Sequence, residues 1–355
     1  MRDLEKNFKR IVIIVTSFFL IFNKLTIRAD AKVDTLSVNS IVQQTQDISI
    51  DEYLKSAGYP DDIIAILDED TKKQYYDEKA LYQTSETTHG IMTDDLSIEI
   101  TFNEKGEAIL DDSEEKKIDK LLDDKDEIKE LVNKRNRSMN ENLSSEKIIN
   151  YLEGTNKTER SIGLRSLSNF THTIVVTHLG QDKKTGYSKK QFYYKWTWKY
   201  SPAFTYVDTY GIAYMGNYAI DENSFYCTQT TKGKGYDKNG IAHYKAMTTA
   251  QTETSQVNLG AGIAIQYDIL GSFAYNSIKY IPYEYSGTLK VNVEKKEMTS
   301  TNPIYNVVGQ YFHKQLAISG MSVSFSGDKN ASISISGTTG HDSSPVRIAK
   351  FNMFK

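Results

Sequence analysis

Gln191 to Tyr200 reads QFYYKWTWKY and holds both tryptophans of the chain. Phe192, Tyr194, Trp196, Trp198 and Tyr200 fall on one side of a period-two ribbon, and Tyr193, Lys195, Thr197 and Lys199 on the other. An aromatic face opposite a wettable one predicts an antiparallel strand with a core on one side and water on the other. Outward from it, strand candidates recur at short spacing: 170–179, 206–214, 224–230, 243–255, 257–267, 273–281, 287–294, 305–312, 321–326, 331–336 and 346–351. Turn formers separate them, among them Lys184-Thr185-Gly186, Asp237 to Gly240 and Gly327 to Asn330. No fixed repeat is present, so a large antiparallel β-sandwich over 169–355 is expected rather than a propeller or solenoid.

The preceding half reads differently. Residues 1–31 have the form of a secretory leader: Arg2, Lys6, Lys9 and Arg10, then an apolar run from Ile11 to Phe22, then Ala29-Asp30-Ala31, with cleavage expected after Ala31. The run is shorter than the roughly 20 residues of a membrane span. The C-terminal RIAKFNMFK carries no apolar tail or sorting motif, so secretion with release or non-covalent retention is expected. Residues 32–48 read as an extended lead-in. From 49 to 153 the chain reads as an acidic, mainly helical region. Ser49 or Asp51 is expected to cap a first helix that Gly58 closes, Pro60 to open a second, and Asp70 to cap a third reaching Leu81. Leu96, Ile98, Ile100 and Phe102 alternate as a strand. Ile118 to Val132 form one apolar stripe, with a capping box at Asp111 or Asp112. The whole is therefore an α+β chain, a small helical region joined to the sandwich by a linker at 154–168 that lacks periodicity.

Tyr53, Leu54, Gly58, Pro60, Ile64 and Leu67, followed by Lys72-Lys73 and paired tyrosines, make a pattern over residues 49–82. It resembles a segment near the start of uncharacterised secreted proteins of Gram-positive, Bacillus-like bacteria. The resemblance implies the compartment and the source and no activity.

The 355 residues carry a net charge of −3, which conceals two halves. Residues 32–153 hold 15 Lys and Arg against 30 Asp and Glu, a net of −15, and residues 154–355 hold 22 against 13, a net of +9. A basic, tyrosine-rich sheet surface suits an anionic polymer, a cell-wall component, a glycan or an anionic membrane surface. Nucleic acid is not expected of an exported chain without arginine-rich patches.

The sequence carries no catalytic motif, cofactor fingerprint or metal-ligand spacing. Cys227 is the single cysteine and reads as a small core residue. His172 and His178 share a strand face but lie about 20 Å apart along it, too far for one ion. His243, His313 and His341 are isolated. Asp208, Asp268, Glu284 and Glu294 are the acids in candidate strands, so a pair from distant strands stays open as a hydrolase alternative, as does Cys227 with His243 and an Asp or Asn. Gly260-Ala261-Gly262 reads as close sheet packing. Ala246 to Tyr267, with Val257, Leu259, Ala261, Ile263 and Ile265 on one face, is the segment for a second alternative, a membrane-active toxin whose hairpin crosses a bilayer. The expected function is a secreted, non-enzymatic binding protein with no cofactor.

Overall fold

A computed structural model describes residues 48–93, 96–103, 105–200, 207–215, 218–251, 256–258, 261–295, 304–314, 322–326, 331–336, 341–343 and 347–352. The expected leader, the expected cleavage after Ala31 and the lead-in as far as residue 47 fall outside these. Three short helices open the described chain: α1 (Ile50–Ser56), α2 (Asp61–Ile66) and α3 (Glu69–Asp77). Gly58 closes α1 at φ 93°, with its N–H on Lys55 O and that of Tyr59 on Leu54 O, so a residue free of a Cβ is required there. The cap of α3 is Asp68, not Asp70. Leu67 leaves α2 extended, which gives Asp68 the backbone that lets its carboxylate accept the Thr71 N–H at 2.8 Å.

Lys79 in the left-handed region, at φ 55°, ends this helical stretch, and Leu81 starts a strand rather than finishing a helix. That strand, β1 (Leu81–Met92), is followed by β2 (Ser97–Phe102) and β3 (Ala108–Ile109). Helices α4 (Asp112–Asp123), α5 (Lys125–Met139), α6 (Ser145–Glu153) and α7 (Lys157–Leu167) come next. The expected single stripe is broken at Asp124, whose carboxylate caps α5 on Glu127 N. Asp111 caps α4 as expected, but Glu114 does not return to it. Its carboxylate accepts the Glu99 N–H at 2.7 Å and ties α4 to β2.

The remaining elements are β4 (Phe170–Gln181), β5 (Ser188–Lys199), β6 (Val207–Tyr214), β7 (Ala219–Tyr236), β8 (Ala242–Gln251), β9 (Gln256–Asn258), β10 (Gly262–Asp268), β11 (Phe273–Tyr275), β12 (Ile278–Lys295), β13 (Ile304–Lys314), β14 (Ser322–Ser326), β15 (Ser332–Ser336), β16 (His341–Ser343) and β17 (Arg347–Asn352). A large sheet runs β3-β2-β1-β4-β5-β12-β7-β8 with β11 on β12, and a smaller one runs β16-β13-β6-β10-β9 with β17 on β13. All of these pairs are antiparallel. The chain is thus an α+β fold built on large antiparallel sheets. Phe192, Tyr194, Trp196 and Trp198 face the small sheet's Tyr210, Tyr214, Tyr311 and Phe351 in one aromatic core. Trp196 is fully buried, 4.5 Å from the Tyr311 ring.

Two expectations are corrected by the packing. The outer face of β5 is wettable only in part: α1 to α3 lie on it, burying Tyr193 with Val175 and Leu179 against Leu54, Ile63, Leu67 and Tyr75, while Lys195, Thr197 and Lys199 stay half-buried. Lys195 is drawn into the same contact and donates to Ile66 O at 2.7 Å. The linker at 154–168 is also not a linker. Asn156 caps α7, and Ser161, Gly163, Leu164 and Leu167 of that helix are buried, the leucines in a core shared with β1, β2 and α4 to α6. Gly163 admits the neighbouring turn, since a Cβ there would lie 3.1 Å from Leu152 Cδ2. Because β1 pairs with β4 over Leu81↔His178 to Gly90↔Phe170, residues from Ile50 onward form one compact unit rather than a helical region beside a sandwich domain.

The candidates at 273–281 and 287–294 belong chiefly to one strand, β12, central between β5 and β7. Proline inside a central strand is tolerated because the register shifts between Pro282 and Glu284. On the far face of the small sheet, the β14–β15 hairpin packs Ala331 and Ile333 on Ala213, Val308 and Phe312.

Candidate functional site

The residues singled out for chemistry are dispersed. Cys227 lies wholly buried in the aromatic core, opposite Gln251, while His243 stands opposite Gly235, eight positions farther along β7 and about 26 Å away at strand rise. No thiol and imidazole pair is formed between them. His243 instead sits 3.2 Å from the Asp237 carboxylate at the β7–β8 turn. His172 is buried with Nδ1 3.0 Å from the Tyr194 hydroxyl, and burial pushes its imidazole down to about 3. Burial, with Lys190 adding a smaller effect, pushes His178 down to about 4. Glu284 is engaged by Lys232 at 2.7 Å, and Asp268 is exposed at the end of β10. Among the described residues no group of three or more metal donors converges.

A polar knot that sequence reasoning missed lies in the core. Asp208 is fully buried; its carboxylate accepts from the Tyr311 hydroxyl and lies 3.0 Å from His313 Nδ1, and Trp198 stands edge-on over the His313 ring at 4.7 Å. Burial first, and the Asp208 charge next, push the phenols of Tyr311 and Tyr267 well above their ordinary value. Three strands, β6, β10 and β13, bring these groups together, which no local spacing could reveal. Asp208, Tyr311 and His313 are closed to solvent. The knot satisfies a buried charge.

Within Ala246 to Tyr267, β8 lies at the edge of the large sheet, whereas β9 and β10 pair with each other in the small sheet, Val257 opposite Ile263. Close packing is observed at Gly262, where a Cβ would run into the Phe325 ring and the Ile212 carbonyl.

Open concave surface lies instead where β7 ends and β12 begins. The two strands are 18 residues each. The β7–β8 turn is closed by Asp237, whose carboxylate accepts the N–H groups of Asn239 and Ile241 at 2.8 and 2.9 Å. Nearby, the C-terminus of α5 is turned by Asn140 at φ 54°, and the Asn136 side chain spans Leu143 N and O. Arg135 is spent on Glu141 and Ser166 O, while Arg137 projects into solvent. Tyr200, held at φ 75° with its N–H on Tyr283 O, joins the two sides; burial pushes its phenol up to about 12.

The result is a cleft of about 600 Å³. Among the described residues, its lining carries four cations, Lys134, Arg137, Lys234 and Lys279, and no carboxylate. Lys134 is paired with Glu130 at 2.8 Å, and Lys234 lies 5.5 Å over the Tyr236 ring and 5.6 Å over that of Tyr244. Tyr200, Tyr236, Ile281 and Tyr283 supply apolar walls. A second, smaller cup of about 300 Å³ lies farther up the same face, where Asp68, Glu69 and Asp70 overhang Thr228, Thr230, Thr248, Ser286 and Thr288. The expected Asp237 to Gly240 turn was legible from its residue types; the approach of α5 to it was not. No protein-family model matches the chain, and comparison with curated proteins gives no match.

Proposed function

We propose that this is a secreted, non-enzymatic binding protein that holds an extracellular anionic polymer, a phosphate- or carboxylate-bearing wall glycan, in the cleft between α5, the end of β7 and the start of β12. The observation that carries the reading is the lining: four cations, tyrosine faces and no acid. A guanidinium presents a planar fork to phosphate or carboxylate, ammonium groups add charge, and aromatic faces stack against sugar rings. The basic balance of residues 154–355 supports the same choice of partner. Export rests on the leader motif with cleavage after Ala31, and a Gram-positive, Bacillus-like source on the segment around residues 49–82.

The test is binding of the full chain to purified phosphate-rich wall polymer across a salt series, beside the variant Arg137→Ala with Lys279→Ala. Tight, salt-weakened binding that the double variant loses supports the reading. Equal binding by both chains removes the cleft from it.

A further inference from the structure

We infer that the joined tips of the β7–β8 and β11–β12 hairpins dock on an anionic phospholipid surface. Among the described residues, five of the eleven large hydrophobic side chains left exposed gather here: Tyr236 at 59%, Ile241 at 58%, Tyr244 at 59%, Tyr275 at 47% and Ile281 at 55%. They come from separate strands. Lys234 stands opposite both Tyr244 and Ile281, so these share one face with Tyr236. Tyr275 stands opposite Ile278, and Phe273 opposite Tyr280, on the other face, where Phe273 and Tyr280 are buried against each other at 5.2 Å. Ile241 lies at the apex beside Lys238.

Exposure on both faces and at the apex decides the partner. A polymer in the cleft or a protein seated on the sheet would cover one face and leave Tyr275 in water. A medium into which the whole tip sinks covers both.

Charge selects the kind of medium. Lys234 lies over Tyr236 and Tyr244, and Lys245 lies 4.0 Å over the Tyr275 ring. Each ammonium thus rides on an aromatic body, the arrangement that lets a ring settle at headgroup depth while the charge meets lipid phosphate. The acids at this end are already engaged: Glu284 by Lys232, and Asp237 by the turn amides and His243. The apex backbone is also closed, with Asp237 N on Ile241 O and Gly240 N on Asp237 O, so shallow burial strands none of these groups. No described helix is long and apolar enough to cross a membrane, and interfacial docking requires none.

The test is cosedimentation of the full chain with vesicles of phosphatidylcholine alone and of phosphatidylcholine mixed with phosphatidylglycerol. The expected result is capture by the mixed vesicles only. Ile241→Asn with Tyr275→Ser should lower capture by roughly tenfold or more, as the loss of two buried apolar groups implies. Lys245→Gln alone should lower it by roughly fivefold. Ile241 and Tyr275 are exposed and Lys245 is half-buried, and an unchanged thermal midpoint verifies the fold. Arg137→Ala should leave vesicle capture intact while weakening polymer binding, which keeps this inference separable from the cleft. No capture by mixed vesicles, equal capture by the wild-type chain and the Ile241/Tyr275 variant, or capture of wall polymer alone would overturn it.

Discussion

The Tyr75 hydroxyl donates to Gln191 Oε1 at 2.7 Å across 116 residues of sequence, and Gln191 Nε2 passes the contact on to Asn292 Oδ1 at 2.8 Å. A helix of the N-terminal segment is thereby bonded through the signature strand to β12 in the middle of the large sheet. Removing only the hydroxyl, with Tyr75→Phe, leaves a buried amide oxygen short of its donor. The expected loss is about 1–3 kcal/mol in a denaturant titration. Far-ultraviolet and tryptophan signals should shift together, because cap and sheet share the bond; a shift in one signal alone would show the helices melting by themselves.

Gly309 on β13 and Tyr194 on β5 meet across the two sheets so closely that a Cβ on the glycine would enter the ring. Both layers are rigid there, so Gly309→Ala should cost about 1–3 kcal/mol by overpacking. Adding Tyr194→Leu should recover part of that loss, and a double-mutant cycle should return a coupling above about 0.5 kcal/mol. Strict additivity would mean that the sheets separate freely at this point.

How much of this was readable beforehand divides by range. The aromatic alternation of Phe192 to Trp198 needs only period two and one buried face, and it placed the core correctly. Period two says nothing of what covers the opposite face, so the burial of Tyr193 and Lys195 beneath α1 to α3 was illegible. β1 was missed for a related reason. Its residues LYQTSETTHGIM lack apolar alternation, since the strand is fixed by pairing with β2 and β4 on both edges more than by a buried face. The cleft combines the C-terminus of α5 with strand ends about a hundred residues later, and only the turn chemistry of each part was visible.

Stability should fall on acidification. The His172 and His178 imidazoles are held by burial down to about 3 and about 4, from an ordinary value of 6.5. The unfolded chain therefore binds more protons between pH 6.5 and these values, and stability present above pH 6.5 is lost as pH falls through that window. His178→Asn should make the profile shallower from pH 6.5 to 4, leaving the slope that His172 contributes. Burial likewise pushes Lys190 from 10.5 down to about 7 and lowers Lys195 and Lys290, so stability should rise with pH between 7 and 10.5, and Lys190→Met should reduce that rise without removing it. Denaturant midpoints measured across the series check both signs; a rising midpoint on acidification below pH 6.5 would contradict the first.

Composition alone marks residues 169–355 as a free-standing basic domain, and the structure predicts the opposite. β4 would lose β1 along its whole edge, from Leu81↔His178 to Gly90↔Phe170. Asn169, whose side chain accepts the Met92 N–H at 2.8 Å and donates to Met92 O at 2.7 Å, would lose both partners. Val175, Leu179 and Tyr193 would be stripped of α1 to α3 and exposed together as an apolar patch. An open strand edge beside such a patch favours association over folding. The isolated 169–355 fragment should therefore aggregate or unfold without cooperativity, whereas co-expression with 48–168 should restore a soluble complex that melts in one transition. A fragment that unfolds cooperatively with the full chain's midpoint would show that the helical segment and β1 are attachments after all. The same reasoning governs how surface binding is measured: because the acidic front cannot be cut away without breaking β1 from β4, any masking of the basic face must be probed by charge reversal within α1 to α3. Asp61→Lys with Asp62→Lys, at exposed positions on α2, should leave the fold intact and change binding only if that segment screens the face.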